Sequence, residues 1–359
     1  MRLLYFNPEN DLALAANDPH YTPPASARQM ASDLREFPRL WVANELTSKA
    51  SLGDNLAPVI WCEREEEGIL LWGWSPLAVH QLRTLGVADE LLPNDEQLAS
   101  YRNFASRKNA ARLLRIFRER WPQDFAEGRL VGESCWCRTE EAVRMACERY
   151  GSAMLKMPWS GSGRGVRPVG EDGLNEKDLF WVLRTLQRQG GVEVEPKYNK
   201  VQDCAMEFWA EGGLVRYEGL SVFETTAGGV YAGNLVAPEE VKEARLAQFI
   251  PMGLLHEVRL HFVELLSEAG LPTWYTGPLG VDMMIVENMV LSSSETSHPS
   301  SGPLHSRYAL HPLVEINLRM TMGWVALRLQ RKLHAGEVGT FKIQRLDGRY
   351  SALFIKKSV

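Results

Sequence analysis

The segment at positions 314–319 constrains the fold of this chain most, because polar and apolar residues alternate along it. Alternation with a period of two is typical of a β-strand, whose successive side chains point to opposite faces. Glu315, Asn317 and Arg319 are therefore predicted to share one face, while the apolar residues between them enter a core. Oxygen ligands two residues apart suit a hard cation such as Mg²⁺, and an adjacent arginine offers phosphate or carboxylate a planar set of donors. Taken alone, the alternation fits a strand with one solvated face at least as well.

A glycine-rich segment follows a short apolar run that ends in Lys156. Its residues are Ser160, Gly161, Ser162, Gly163, Arg164 and Gly165. Small residues let backbone N–H groups converge on an anion, and a nearby lysine adds positive charge. The segment is not a Walker A loop, because the lysine precedes the glycines. A phosphate-binding loop and a flexible hairpin between two strands are both consistent with it.

Asp282 lies within an apolar run, 279–286, that is predicted to form a strand. A carboxylate in such a position must be paired or bind a metal ion to offset its desolvation. A salt bridge to a nearby arginine is the alternative to a metal site.

The order of these features resembles the ATP-grasp superfamily of carboxylate-amine ligases. The similarity runs from about residue 106 to about residue 323 and depends on several short motifs that occur in sequence. It implies an α/β (α+β) fold, in which an N-terminal Rossmann-like α/β domain precedes two α+β subdomains that sandwich ATP. The implied domains are 1–105, a small lid subdomain at 106–192 and a large subdomain with the metal site at 193–359.

The resemblance also implies roles for individual residues. Those expected to bind ATP are Lys108, Lys156, Ser160 to Gly165 in the loop, the hinge residues Glu195, Pro196 and Tyr198, and Asp203 on the ribose. Those expected to hold Mg²⁺, with Mn²⁺ as an alternative cation, are Asp282, Glu315 and Asn317. Arg319 would steady the transferred phosphoryl group or the acyl phosphate, and Lys156 would add positive charge beside the phosphates. The chain departs from many family members in the long separation between Asp282 and Glu315, where 292–303 is polar and predicted to be a loop.

The activity that the resemblance implies is ATP-dependent activation of a carboxylate as an acyl phosphate, which an amine or other nucleophile then attacks, with release of ADP and phosphate. Small-molecule carboxylates and amines would be the substrates. Two alternatives remain open, namely an ATP-binding regulatory or interaction module without ligase activity, and a phosphotransferase of the same fold.

A polar cluster follows the first predicted strand, 3–6. Because ligands of open α/β sheets bind beyond the carboxyl ends of strands, its members are candidates for binding the second substrate. They are Asn7, Glu9, Asn10 and Asp11. Capping of a helix by Asn10 or Asp11 is equally consistent with the sequence.

Hydrophobic periodicity predicts the remaining elements. Strands are expected at 39–43, 69–72, 133–137, around Lys156, and at 205–209, 215–222, 279–286, 290–292 and 313–318. Helices are expected at 76–85, 109–120, 139–150, 178–189 and 254–269. The histidines at 298, 305 and 311 are best interpreted as solvated loop residues, although His311 is close enough to the last strand to reach the active site.

Composition agrees with an ordinary enzyme of two or three domains. The chain has 359 residues and a net charge of −5 with scattered basic residues, which argues against a protein that coats nucleic acid. Its five cysteines, an odd count, favour reduced thiols and a cytoplasmic location, and positions 1–6 lack the features of a signal peptide. No apolar run is long enough to span a membrane. A homodimer is the general expectation for such an enzyme.

Overall fold

The computed structural model describes residues 2–41, 59–62, 68–161, 165–226, 228–288 and 307–358. Within these residues the chain forms three β-sheets of three, four and seven strands, with helices packed against them. The predicted mixed class of helix and sheet is confirmed. No helix in these ranges has the length and apolar character needed to cross a bilayer.

The three-stranded sheet lies near the N-terminus and has the strand order β2-β1-β3, with β1 antiparallel to β2 and parallel to β3. The elements of this part are β1 (Arg2–Tyr5), α1 (Asn10–Ala16), α2 (Ala25–Asp33), β2 (Val59–Cys62), β3 (Gly68–Leu71), α3 (Pro76–Thr84) and α4 (Asp95–Phe104). Ser75 caps α3, since its side chain accepts a hydrogen bond from the backbone of Ala78 and proline follows at the first helical position. The strands predicted at 3–6 and 69–72 and the helix predicted at 76–85 are confirmed.

The strand predicted at 39–43 is wrong in its described part, because Phe37–Trp41 is a 3₁₀ helix. Pro38 lacks a backbone donor and disfavours regular strand pairing. The short helix directs the side chains of Phe37 and Trp41 toward Phe6, with which they form an aromatic cluster. The ring centroids of Phe6 and Phe37 lie 4.9 Å apart. Positions 42 and 43 lie outside the described residues.

The four-stranded sheet is antiparallel, with the order β4-β7-β5-β6. The elements of this part are α5 (Arg107–Arg120), α6 (Pro122–Ala126), β4 (Cys135–Cys137), α7 (Glu140–Tyr150), β5 (Ala153–Lys156), β6 (Val166–Val169), α8 (Glu176–Gln189) and β7 (Val192–Pro196). Side-chain caps at Ser106, Thr139 and Asn175 begin the long helices, and Gly190 ends α8 in the left-handed conformation. The predicted helices and strands of this part are confirmed within a few residues.

The seven-stranded sheet has the order β12-β11-β8-β9-β10-β13-β14, and each neighbouring pair is antiparallel. The elements of this part are β8 (Lys200–Glu211), β9 (Leu214–Thr225), β10 (Tyr231–Val236), α9 (Glu239–Leu246), α10 (Met252–Glu268), α11 (Leu271–Trp274), β11 (Gly277–Glu287), β12 (Tyr308–Asn317), α12 (Met322–Gln330), β13 (Glu337–Leu346) and β14 (Arg349–Ser358). The helix predicted at 254–269 and the strands predicted at 205–209, 215–222 and 279–286 are confirmed. The strand predicted at 290–292 and most of the loop at 292–303 lie outside the described residues.

The two faces of the large sheet differ in polarity, which positions the candidate site. Val281, Met283 and Met206 point from one face into the main hydrophobic core. The opposite face carries acids and amides, because side chains alternate along each strand. Asp282 lies opposite Glu315 on β12, and Gly280 lies between Asn317 and Glu207 on its two neighbouring strands.

All described cysteine side chains belong to free thiols. They are Cys135, Cys137, Cys147 and Cys204. The side chain of Cys62 lies outside the described residues.

Candidate active site

The three predicted metal ligands lie together where the middle of β11 pairs with the end of β12. Asp282 and Glu315 are cross-strand partners, and the side-chain amide of Asn317 donates to Asp282 Oδ2 at 3.0 Å. β12 begins at Tyr308 rather than at the predicted residue 313, and a register irregularity after Asp282 lets the two strands stay paired. Arg319 lies two residues beyond the end of the strand.

The electrostatics of these acids favour a cation. Burial raises the pKa of Asp282 to about 7, and the negative charge of Glu315 acts in the same direction. A divalent ion between the two carboxylates would remove this repulsion, and the carboxylate and amide oxygens are ligands that Mg²⁺ accepts. In the described ranges no three His, Cys, Asp or Glu side chains form a metal site by themselves. Asn317 and oxygens of a bound phosphate would therefore have to complete the coordination of an ion here.

Lys108 and its neighbour Arg107 lie in different environments at the start of α5. Ser106 starts α5, after which successive residues turn by about 100° around the helix axis. Arg107 is buried and directed at the sheet, whereas Lys108 is exposed. Arg107 Nη2 donates to Glu315 Oε2 at 2.6 Å, and Nη1 donates to the Ser160 hydroxyl at 2.7 Å. The role of Lys108 in binding phosphate stays a prediction, and Arg107 is the residue of this pair that contacts a predicted metal ligand.

Lys156 and Glu195 form a buried ion pair, with Lys156 Nζ 2.6 Å from Glu195 Oε1. Lys156 ends β5, and Glu195 lies near the end of the adjacent β7. Glu193 lies beside this pair, and burial raises its pKa although the charge of Lys156 opposes that effect. Since its side chain is engaged with Lys156, Glu195 can contact a nucleotide through its backbone without breaking this ion pair.

The two ends of the glycine-rich loop are joined by a backbone hydrogen bond. The backbone N–H of Met157 donates to the Gly165 carbonyl at 2.8 Å, and a Cβ on Gly165 would overlap Ser160. A Cβ on Gly161 would lie 2.8 Å from Asp11 Oδ2, so the loop also approaches α1 closely. Glycine at both positions allows these contacts. Ser162, Gly163 and Arg164 lie outside the described residues.

Arg319 forms a bidentate ion pair with Asp11. Its Nε and Nη2 donate to the two carboxylate oxygens at 2.9 and 2.8 Å. The pair closes a small cleft that is also lined by Leu14, Trp159 and Asn317. Asn10 and Asp11 of the predicted substrate-binding cluster both line this cleft, and the charge of Asp11 is engaged by Arg319.

The other members of that cluster have structural contacts. Asn7 donates to the Gly73 carbonyl at 2.8 Å and accepts from the Gly73 N–H at 3.2 Å. The side chain of Asn10 packs so closely on Gly73 that a Cβ there would lie 2.5 Å from it. Glu9 is buried, and burial raises its pKa to about 7. Neither Asn10 nor Asp11 caps α1, because they are its first two residues and its N-cap, Glu9, makes no side-chain capping bond.

Asp203 lies one step along the same face of the seven-stranded sheet, and the hinge residues precede it in the chain. Asp203 is opposite Met284, and its carboxylate accepts hydrogen bonds from Lys200 Nζ at 2.6 Å and from the Thr225 hydroxyl at 2.7 Å. Pro196 ends β7, and Tyr198 follows it with its ring against His311. His311 is part of β12 and fully buried, which corrects the prediction of a solvated loop residue.

Sequence reasoning missed Arg107 and also Glu207, a buried acid on the same sheet face. Burial raises the pKa of Glu207 to about 8, and Thr321 donates to it at 2.8 Å. Gly280 and Gly323 leave room for this side chain, since a Cβ on either would contact its carboxylate. An acid within an apolar strand had singled out Asp282, and the same signal was present at Glu207.

Comparisons with known proteins find similarity in solved structures alone. No family model and no curated protein matches the chain. N5-carboxyaminoimidazole synthetase from Staphylococcus aureus, complexed with ADP, is 12% identical over 82% of this chain and 76% of that chain, with a TM-score of 0.44. Biotin carboxylase from Campylobacter jejuni is 14% identical over 77% of this chain and 58% of that chain, with a TM-score of 0.45. L-amino acid ligase from Bacillus licheniformis is 12% identical over 78% of this chain and 62% of that chain, with a TM-score of 0.42.

All three are ATP-grasp enzymes.

Proposed function

We propose that this protein is an ATP- and Mg²⁺-dependent ligase, which activates a carboxylate as an acyl phosphate for attack by an amine or another nucleophile and releases ADP and phosphate. One observation carries the proposal. Arg107, Lys156 and Arg319 come from three separate parts of the chain and converge on β12, the edge strand that pairs with Asp282. Arg107 donates to Glu315 of this strand, the charge of Lys156 acts on His311 of the same strand, and Arg319 follows its end.

This arrangement suits phosphoryl transfer. That reaction needs neutralisation of charge and alignment of the reacting groups more than covalent chemistry from the protein. Arg107 and Lys156 are buried cations paired with acids, and they are the groups available to the phosphates of ATP. Asp282, Glu315 and Asn317 would hold the magnesium ion, which supplies further positive charge when bound.

Arg319 is suited to the carboxylate substrate. Its guanidinium already holds a carboxylate, that of Asp11, through two parallel hydrogen bonds. A substrate carboxylate has the same planar shape and could take the place of Asp11. The loop from Ser160 to Gly165 would cover the reacting groups and exclude the water that would hydrolyse an acyl phosphate.

The domain division at residues 105 and 192 belongs to the same proposal. In it, 106–192 would close over ATP bound on 193–359, and 1–105 would contribute Asp11, which holds Arg319 until the substrate carboxylate binds. We expect a cytoplasmic enzyme that acts on small molecules.

Calorimetric titration of ATP with Mg²⁺ into the protein tests the proposal, with Glu315→Gln and Lys156→Ala as variants. We expect binding by the unmodified protein and weaker binding by both variants, because each loses a charge that the bound metal or phosphates require. Phosphate release in mixtures of carboxylates and amines would then identify the substrates. If the unmodified protein does not bind ATP, the proposal fails. If it binds ATP but forms no ligated product and transfers phosphate to a final product, the phosphotransferase alternative replaces it.

A further inference from the structure

His311 is a buried polar side chain to which the described part of the chain offers no hydrogen bond. The residue is completely buried in β12, opposite Met284. Neither Nδ1 nor Nε2 has a hydrogen-bond partner there. Burying such groups without partners costs free energy, and phenylalanine would fill similar space without that cost.

The fold is built closely around this ring. Tyr198 meets it edge to face, with the ring centroids 5.4 Å apart. Gly132 has a φ of +129°, and a Cβ at that position would lie 3.0 Å from His311 Nε2. Burial, together with the positive charge of Lys156, lowers the pKa of His311 to about 3, so the imidazole is neutral at physiological pH. A neutral imidazole offers one N–H donor and one lone pair.

A small apolar cluster surrounds His311 where the four-stranded and seven-stranded sheets meet. We call it the boundary cluster, and its members are Val131, Tyr198, Met284, Val286, Ala309 and Val314. Met284 lies between His311 on β12 and Asp203 on β8. One step along the same strands are Glu315 and Asp282, the candidate metal ligands. Apolar surface with a single neutral donor and acceptor is the environment that an aromatic heterocycle requires.

We propose that His311 recognises the purine base of the bound nucleotide by hydrogen bonding, with the boundary cluster contacting the faces of the base. The proposal rests on the proposed function, since it assumes that ATP binds beside Lys156. The phosphates would then extend toward Asp282 and Glu315, while the base lies next to Tyr198 and the end of β7. His311 is thus a binding residue for the base rather than a group of the phosphoryl-transfer machinery.

Titration of two probes into the protein tests the proposal, namely Mg²⁺ with ATP and Mg²⁺ with inorganic tripolyphosphate, which lacks the base. In His311→Phe we expect the affinity for ATP to fall about tenfold, which corresponds to the loss of one buried hydrogen bond, while the affinity for tripolyphosphate is unchanged. His261→Phe is the matched control, because His261 also has a ring nitrogen without a partner in the described residues but stacks on Trp121 away from the site. It should alter neither affinity.

The outcomes separate this inference from the proposed function. If the unmodified protein binds no ATP, the proposed function fails and the inference fails with it. If it binds ATP and His311→Phe binds ATP equally well, recognition by His311 is overturned and the proposed function stands. If His311→Phe weakens ATP and tripolyphosphate alike, the residue supports the site as a whole and the inference is again overturned.

A second variant and two ATP analogues keep the proposal testable if His311→Phe does not fold. His311→Gln retains one donor and one acceptor, so it should bind ATP within about threefold of the unmodified protein. Purine riboside triphosphate and 7-deaza-ATP each lack one hydrogen-bonding group of adenine. We expect one of them to bind the unmodified protein about tenfold more weakly than ATP. In His311→Gln this difference should shrink, and an identical difference in both proteins would overturn the inference.

Discussion

Arg107 and Lys108 are adjacent cations whose environments differ because of the turn of one helix. The guanidinium of Arg107 connects Glu315 to Ser160, and therefore the metal strand to the glycine-rich loop. Lys108 is exposed on the other side of α5. The choice between them could not be made from the sequence, since both are basic residues at the start of the same helix.

Substitution of Arg107 should weaken the binding of ATP, whereas substitution of Lys108 should have little effect on it. Arg107→Ala removes a buried cation and should weaken binding of ATP with Mg²⁺ by at least about tenfold. Lys108→Ala should change binding by less than about twofold, because solvent screens an exposed charge. Calorimetric titration of both variants measures the difference. Equal losses of affinity in the two variants would show that Lys108 also contributes to the site. Thermal unfolding verifies that Arg107→Ala is folded.

Glu9 should make stability depend on pH. Its folded-state pKa, raised by burial to about 7, lies above the value of about 4.5 for an unfolded chain. The folded state therefore binds more protons between these values, and the free energy of unfolding should fall as pH rises from about 4.5 to about 7, by at most about 1.4 kcal/mol per pH unit. Glu9→Gln should flatten this part of the profile. Urea unfolding at several pH values measures it, and an unchanged slope in the variant would contradict the assignment.

At the scale of elements, α12 packs closely on the large sheet because Gly323 has no side chain. Gly323 is the second residue of α12, and a Cβ there would overlap Glu207 and Ser221 on the strands below. Gly253 is the second residue of α10, and a Cβ there would meet nothing within 4 Å. The two glycines occupy equivalent helix positions but differ in what lies against them.

This difference predicts opposite effects of alanine at the two positions. Gly323→Ala should lower the free energy of unfolding by about 1–3 kcal/mol, which is the usual cost of overpacking. Gly253→Ala should leave it unchanged or slightly raised, because alanine favours a helix. Urea denaturation of both variants compares them. A Gly323→Ala protein as stable as the Gly253→Ala protein would show that α12 is free to move away from Glu207.

At the scale of the whole molecule, the N-terminal sheet and the C-terminal strands share one core. Phe341 on β13 is completely buried and stacks on Phe37, with ring centroids 6.0 Å apart. The same cluster contains Phe6, which is the residue after β1, and Trp72, which is the residue after β3. The N–H of Met320, after β12, donates to the Trp72 carbonyl at 2.7 Å and adds a polar link.

Phe341→Ala should therefore destabilise both ends of the chain together. Removal of a fully buried aromatic ring usually costs about 3–5 kcal/mol. Leu346→Ala is the control on the same strand, because Leu346 is exposed and should cost little. Tryptophan fluorescence and far-UV circular dichroism follow unfolding of the two parts. Loss of the C-terminal strands without a change around Trp41 and Trp72 would argue against a shared core.

Most secondary structure was predictable from local pattern. The alternation at 314–319 predicted the strand that carries Glu315 and Asn317, and apolar periodicity predicted the helices at 109–120, 139–150 and 178–189 to within a few residues. The 3₁₀ helix at Phe37–Trp41 was not predictable, because the aromatic cluster that its side chains join is assembled from distant segments.

The sequence by itself determined the class of fold and the kinds of chemical group available for a site, since periodicity and residue type are local properties of the chain. Only the tertiary structure decided which groups meet. It turned Arg107 inward rather than Lys108, brought Asp11 to Arg319 and placed His311 within the boundary cluster. The physical reason is that these contacts join residues far apart in the sequence, and their geometry depends on the packing of whole helices and sheets.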